Sequence, residues 1–339
     1  MAYKDTRSHI IRQAAKKAVP VLGEFELTSK CNLRCKMCYV VGETASTDLS
    51  TDKWKDIFKD AADAGLLFAV LTGGEIFTRK DFSELYAYLY DLGVRITLFT
   101  NGSALSDAIL QTLEKRPPES IVITLYGGDS ETYEKVTQKT YAFQAVSENI
   151  DRLKARRFHL QLRTIPLTPI YETLDTVIKF AQSKNETLQY TEYIGPTRQG
   201  DFSYADWRLE PKALKAFGDK LQNTFFKNAE KSGSTNTAAS HCAALRSAYF
   251  VNHQGLMQPC AMAYKPARSI LEDGIKSTFD HLSGELRAIE DYAPCASCPL
   301  SAHCLQCYAR RLLETTKPDA CPPYLKAYAE TTKASKTNE

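Results

Sequence analysis

The sequence lacks any uninterrupted apolar run long enough to cross a bilayer, which argues against a helical membrane span. It also lacks a charge excess. A formal net charge of +3 over 339 residues makes too weak a field to imply a nucleic-acid or membrane partner. The stretch from Met1 to Lys17 is polar and basic and has no apolar core, so no secretory signal is expected. Histidine is scarce, and after Cys38 the next His or Cys is His159. Cysteine is plentiful. Ten cysteines without an export signal read as metal ligands rather than disulfides, because the cytosol keeps thiols reduced. A cytoplasmic protein of one large or two modest domains is therefore expected.

Three of the cysteines, Cys31, Cys35 and Cys38, follow a strand-like run (Val21 to Leu27) at C-x3-C-x2-C spacing. That puts three soft thiolates on one short loop, which suits three corners of a cubane iron–sulfur cluster and leaves the fourth iron free for another ligand. A structural zinc site would want a fourth protein ligand, and none is near in sequence. Three unrelated buried thiols is the bland alternative, and this density disfavours it.

Apolar or β-branched runs at Val21–Thr28, Leu67–Thr72, Val94–Thr100, Ile121–Tyr126, Leu160–Ile165 and Leu188–Ile194 alternate with amphipathic helical stretches such as Thr51–Ala64, Asp81–Leu92, Ala104–Lys115, Ala145–Ala155 and Tyr171–Gln182. Short connections between such repeats imply parallel strands with crossover helices, and ligands in such folds sit at the carboxyl ends of the strands. The candidate motifs all fall there: the cysteine loop, Gly73-Gly74-Glu75, Thr100-Asn101-Gly102 and Gly127-Gly128. Gly73 and Gly74 permit close backbone approach, and Glu75 offers an acceptor for an ammonium group. Taken alone, these three also read as an ordinary strand–helix turn, and Asn101 as a turn former. Arg163 and Glu192 are charges inside apolar runs, either turned inward toward a substrate or exposed at the rim.

The cysteine spacing, with Gly73-Gly74-Glu75 one unit later, resembles the radical S-adenosylmethionine superfamily. The resemblance implies a partial (β/α)6 barrel and a [4Fe-4S] cluster whose open iron is chelated by the methionine part of S-adenosyl-L-methionine. It also implies cleavage of that cofactor to a 5'-deoxyadenosyl radical. Carried onto this chain, it makes Cys31, Cys35 and Cys38 cluster ligands and puts Gly73, Gly74 and Glu75 at the cofactor's amino group. Asn101 falls near its ribose, and Thr124 stands near where relatives often have a serine contacting the cofactor, or on a solvated surface. Met37 stands beside the adenine, where relatives usually have an aromatic residue, and Lys139 lies near a common basic position or simply in solvent.

The remaining seven cysteines, Cys242, Cys260, Cys295, Cys298, Cys304, Cys307 and Cys321, crowd the last hundred or so residues. A hairpin is expected after Cys242, from Ala248–Val251 through a turn at Asn252 to Gly255 and back along Leu256–Pro259. A zinc-ribbon-like site would use Cys295 to Cys307 and leave Cys242, Cys260 and Cys321 without a role. The arrangement closely resembles the SPASM extension of many radical S-adenosylmethionine enzymes, which carries two auxiliary [4Fe-4S] clusters, although this chain has two residues rather than the usual three before Cys307. The resemblance assigns Cys295, Cys298, Cys304 and Cys321 to one cluster, and Cys242, Cys260 and Cys307 to the other with one iron unclaimed. A fully ligated cluster takes four cysteines, so two would need one more than the seven present. His241, His253, water or a substrate thiolate are candidates for the open corner.

The domain reading is an N-terminal extension over 1–20, the radical S-adenosylmethionine barrel over 21–205, a helix (Pro211–Asn228) and linker within 206–240, the small cysteine-rich iron–sulfur (SPASM) domain over 241–330 and a frayed tail over 331–339. If all ten cysteines hold clusters, no free thiol remains as a hydrogen donor. The resemblance then implies oxidative modification of a ribosomally made peptide, most often a cross-link at an unactivated carbon, with flavodoxin or ferredoxin as reductant. Only 30 residues precede Cys31, so a separate leader-recognition protein or the barrel mouth itself is expected to read the peptide. The alternatives are a maturase or dehydrogenase acting on a side-chain or small-molecule carbon, and a non-enzymatic metal-binding module. The catalytic base is left unassigned.

Overall fold

The computed structural model describes residues 3–40, 48–226, 244–290, 293–317 and 320–337. Six strands, β1 (Leu22–Glu26), β2 (Phe68–Thr72), β3 (Arg95–Thr100), β4 (Ser120–Leu125), β5 (Leu160–Thr164) and β6 (Leu188–Tyr190), pair in chain order and all run parallel. Crossover helices return the chain each time, as a parallel sheet requires. Every expected strand is present, with trimmed ends. The largest trim is on β6, which stops at Tyr190. The chain then runs irregularly through Pro196 to Ala205 before the helix Pro211–Phe225.

The sheet does not stop at β1. The strand β7 (Ala248–Val251) pairs with it in parallel, and β8 (Leu256–Gln258) and β9 (Arg268–Ser269) follow antiparallel, giving the order β6-β5-β4-β3-β2-β1-β7-β8-β9. The expected hairpin is therefore real and is built onto the barrel strand that leads into the first cysteine loop. Residues 227–243, which take in the rest of the expected linker and also His241 and Cys242, lie outside the described residues.

Period-two alternation along the strands decides which side chains meet the helices. Phe25 on β1 packs edge-on against Trp54 and Phe58 of the helix Thr51–Asp63, with ring centroids 6.3 and 5.3 Å apart. Helix-facing residues such as Phe25, Leu71, Leu98, Ile123 and Leu162 are fully buried. Their lumen-facing neighbours Glu24, Val70, Phe99, Thr124 and Arg163 are only half-buried. The barrel thus has a packed outer layer and a concave side that stays partly accessible at these positions.

Two segments differ from expectation. Tyr3–Lys17 is a helix, where sequence reading saw only a polar extension, and Arg7 lies over the Phe68 ring at 5.0 Å. The helix Pro323–Thr337 runs past Thr331, the expected start of fraying. Thr331 and Thr332 hydroxyls bond back to Ala327 and Tyr328 carbonyls, and Lys333 and Ala334 are good helix formers. Among the described residues no helix is long and apolar enough to cross a membrane.

Candidate active site

The loop after β1 carries Cys31, Cys35 and Cys38. Its backbone is pinned at several points: Cys38 N–H bonds Cys35 O at 3.1 Å, and Arg34 N–H bonds Thr137 O at 3.0 Å. Leu33 N–H donates to Cys31 Sγ at 3.4 Å, and Asn101 Nδ2 donates to the same sulfur at 3.7 Å. The Tyr126 hydroxyl, just past β4, bonds the Cys35 sulfur. Burial pushes the Cys31 thiol up to about 11 and raises Cys35 further, with the neighbouring thiols adding to both. Such thiols ionise only against a compensating positive charge, which a bound metal supplies. Among the described residues no three His, Cys, Asp or Glu side chains converge on a single ion. A cubane distributes its thiolates over separate irons, so its ligands stand further apart than those of a mononuclear site.

The Gly-Gly-Glu turn has a structural reason here. Gly74 N–H bonds Thr28 O at 2.8 Å and Glu75 N–H bonds Lys30 O at 2.9 Å, so the turn after β2 lies directly against the cysteine loop. A Cβ on Gly73 would sit 2.5 Å from Thr28 O, and one on Gly74 2.3 Å from Lys30 O. Gly73 also has φ of +152°, which favours glycine. The close approach made by these glycines is to the backbone of that loop.

Glu75 is buried and its carboxylate is engaged within the fold. Oε1 accepts from Thr100 Oγ1 at 2.6 Å and Phe77 N at 3.1 Å, and Oε2 accepts from Asn101 N at 2.7 Å. Burial raises its pKa, with these bonds opposing. A carboxylate offers about four lone-pair positions, so one remains for an incoming donor. Asn101 is in turn held by Ser103 and reaches both Asn32 Oδ1, at 3.0 Å, and Cys31 Sγ. Glu75, Asn101 and Cys31 therefore form one connected unit. Met37, on the cysteine loop, is half-buried against the core. Thr124 lies on the lumen side of β4, in register with Arg163 of β5. Lys139 is half-exposed past a helix end, and Glu192 is exposed beyond the end of β6.

In the C-terminal region Cys295, Cys298, Cys304 and Cys321 line one pocket together with Arg311, Gln306 and several apolar side chains. Burial raises Cys295, with Arg311 opposing, and pushes Cys304 up to about 11. Cys307 is not among the lining residues. Its sulfur accepts from Arg310 N at 3.5 Å at the start of the helix Tyr308–Thr315. Cys260 follows β8 and is half-buried. His253 is buried in the β7–β8 turn with Nδ1 2.9 Å from Glu26 Oε1.

That last contact brings in two residues, Glu26 and Arg198, that were not singled out from sequence. Glu26 on β1 is fully buried and bonds His253 and Arg198, whose Nη2 is 3.0 Å from Oε2. These partners hold the Glu26 carboxyl below its usual range despite burial. Arg198 also donates to Ala261 O at 2.6 Å, next to Cys260, and lies over the Tyr39 ring at 4.8 Å, next to Cys38. A buried ionic network thus joins the neighbours of two cysteine sites. The visible signal was two glutamates, Glu24 and Glu26, at strand spacing inside an apolar run.

Three comparisons place the chain among known proteins. The chain is 28% identical over 186 residues to an AdoMet-dependent heme synthase of Methanosarcina barkeri, covering 54% of this chain and 53% of that protein. It is 25% identical over 268 residues to the sporulation killing factor maturation protein SkfB of Bacillus subtilis, covering 76% and 64%. The chain thus spans less than two thirds of the length of either relative. Streptococcus suis SuiB bound to its precursor peptide SuiA shares the fold, with a TM-score of 0.70 at 17% identity over 95% of this chain and 80% of that one. The Radical SAM superfamily model matches from Phe25 through Ser183, a span that holds the cysteine loop, the Gly-Gly-Glu turn and Asn101. With the six parallel strands and their site at the carboxyl ends, this match makes residues 25–183 a domain of the Radical SAM superfamily.

Proposed function

We propose that the chain is a radical S-adenosylmethionine enzyme that oxidatively modifies a ribosomally synthesised peptide, by cross-linking at an unactivated carbon. The family's cofactors are a [4Fe-4S] cluster and S-adenosylmethionine, which together supply a carbon-centred radical able to take a hydrogen atom from substrate. Cys31, Cys35 and Cys38 fit the cluster as its three thiolate ligands, with Asn101 and Tyr126 donating to two of the sulfurs. Gly73, Gly74, Glu75, Asn101, Thr124 and Met37 are the residues we assign to the cofactor's side of the lumen.

One observation carries the oxidative part of the reading: Cys295, Cys298 and Cys304 line a single pocket with Cys321, which lies beyond the helix Tyr308–Thr315. We assign Cys295, Cys298, Cys304 and Cys321 to one auxiliary cluster. Cys260, Cys307 and Cys242 are assigned to a second with one open corner, and His253, turned toward Glu26, is not needed there. Such centres would accept the electron released when a substrate radical becomes a product. The similarity to SkfB, named as a maturation protein, and the fold shared with SuiB in complex with a precursor peptide favour a peptide substrate. A separate leader-recognition protein, a flavodoxin or ferredoxin and a cytoplasmic location complete the proposal.

The heme-synthase relative favours a second reading, oxidation of a small-molecule carbon on the same scaffold. The test is anaerobic reconstitution with iron and sulfide analysis, an assay for 5'-deoxyadenosine, and fragmentation mass spectrometry of a short peptide encoded beside the gene. Cofactor cleavage with a two-hydrogen loss located to a cross-link supports the proposal. Zinc in place of iron and no cleavage overturns it, and cleavage with no change in any adjacent peptide moves the assignment to the second reading.

A further inference from the structure

The barrel lumen holds two ionic groups that the buried Glu26 network does not use. Glu24 lies on the lumen face of β1, two residues before Glu26, and Arg163 on the lumen face of β5. Among the described residues nothing hydrogen-bonds or ion-pairs with the Glu24 carboxyl. Arg163 is half-buried with its guanidinium over the Phe99 ring of β3, at 4.8 Å. The two feel each other's charge without meeting in an ion pair. An interior carboxyl with no partner is costly, and the fold has already shown, at Glu26, how it satisfies such a group when satisfaction is the purpose. Glu24 is left half-buried on the lumen face of the barrel.

We propose that Glu24 is the proton acceptor of the reaction, with Arg163 binding a carbonyl or carboxylate of the substrate opposite it. The inference rests on the oxidative reading above. In that chemistry a hydrogen atom leaves a substrate C–H bond. A substrate nucleophile then bonds to that carbon, breaking its own X–H bond. The proton goes to Glu24, and the surplus electron goes to a one-electron acceptor of the iron–sulfur class. The ionisation of Glu24 suits the task. Burial first, then the neighbouring Glu26, push its carboxyl up to about 7, against the opposing pull of Arg198 and Arg163. The groups facing it are Glu26 on its own strand, Arg163 on β5, Arg198 after β6 and Tyr39 after the cysteine loop, with His253 acting through Glu26. A base near the working pH contributes about 100- to 10,000-fold.

The test compares wild type with Glu24→Gln, both as reconstituted holoenzyme, supplied with the peptide encoded beside the gene. The expected result is 5'-deoxyadenosine formation within about threefold of wild type, with peptide modification reduced about 100-fold or more. Glu24→Asp should recover part of the loss, and a wild-type rate limb near neutral pH should vanish in the glutamine variant. Peptide modification by Glu24→Gln at the wild-type rate overturns the inference. Cofactor cleavage by wild type with the peptide untouched sinks the peptide reading instead, and infrared difference spectra then decide the role of Glu24. A protonated-carboxyl band titrating near pH 7 in wild type and shifted in Glu24→Asp sustains the inference, and its absence overturns it. The same spectra decide if the glutamine variant does not fold.

Discussion

Inside the barrel, two glutamates one strand-turn apart have opposite fates. Glu26 has Arg198 and His253, whereas no hydrogen bond or ion pair holds Glu24 among the described residues, and this difference makes a stability prediction independent of turnover. The folded pKa of Glu24 is about 7 against 4.5 unfolded, so the group's contribution is fully present below pH 4.5 and is lost as pH rises through 7. The charged form then costs on the order of 3 kcal/mol. Glu24→Gln should therefore be more stable than wild type at pH 8 by up to that amount, and the gap should close by pH 4.5, as denaturant midpoints at the two pH values will show. A residue that weakens the fold at neutral pH is best explained by use. Glu75 is the contrasting case. Either orientation of a glutamine amide there would turn a donor on Phe77 N–H or Asn101 N–H. Glu75→Gln should lose about 2–3 kcal/mol in thermal or chemical denaturation, and displacing Asn101 should slow cofactor cleavage.

At the scale of elements, the turn after β2 and the loop after β1 behave as one piece, because two backbone hydrogen bonds and two glycines press them together. Gly74→Ala would place a methyl group on Lys30 O, and backbone cannot swing aside as a side chain can. Iron bound per chain after anaerobic reconstitution should fall to a small fraction of wild type, while overall secondary structure by circular dichroism persists. The six strands and most helices were readable from sequence, since parallel strands buried on their helix face give apolar runs and short loops punctuate them. Cysteine spacing pointed to the site for the same local reason. The Glu26 network was not readable. Its partners lie 172 and 227 residues away, and Arg198 sits in an irregular segment with no periodic pattern to mark it. Glu24 and Glu26 interrupted a hydrophobic strand at period two, a signal that points to the lumen without naming what waits there. Sequence offered no reason to extend the sheet past β1 either, because β7 pairs with a strand more than two hundred residues earlier.

Across the whole molecule, the barrel and the cysteine-rich region are tied by more than that shared sheet. Arg208, before the helix Pro211–Phe225, makes a bidentate pair with Glu314 of the helix Tyr308–Thr315, at 3.1 and 2.5 Å. Tyr193 donates to the same carboxylate at 2.7 Å, and the Arg208 guanidinium lies 3.3 Å from the Tyr324 ring centroid. Both charges are nearly buried, so removing one strands the other. Arg208→Ala should cost about 3–5 kcal/mol. Hydrogen exchange should quicken in the helices beginning at Tyr308 and Pro323, and a paired Arg208→Met/Glu314→Leu change should lose less. Pairing with β7 along β1 from Leu22 to Phe25 has a practical outcome for anyone who trims this protein. Ending the chain where the superfamily match ends, at Ser183, would strip that neighbour from the strand beneath the cysteine loop. The bare row of amides and carbonyls left behind is a template for self-association, so the minimal catalytic fragment should clump rather than work.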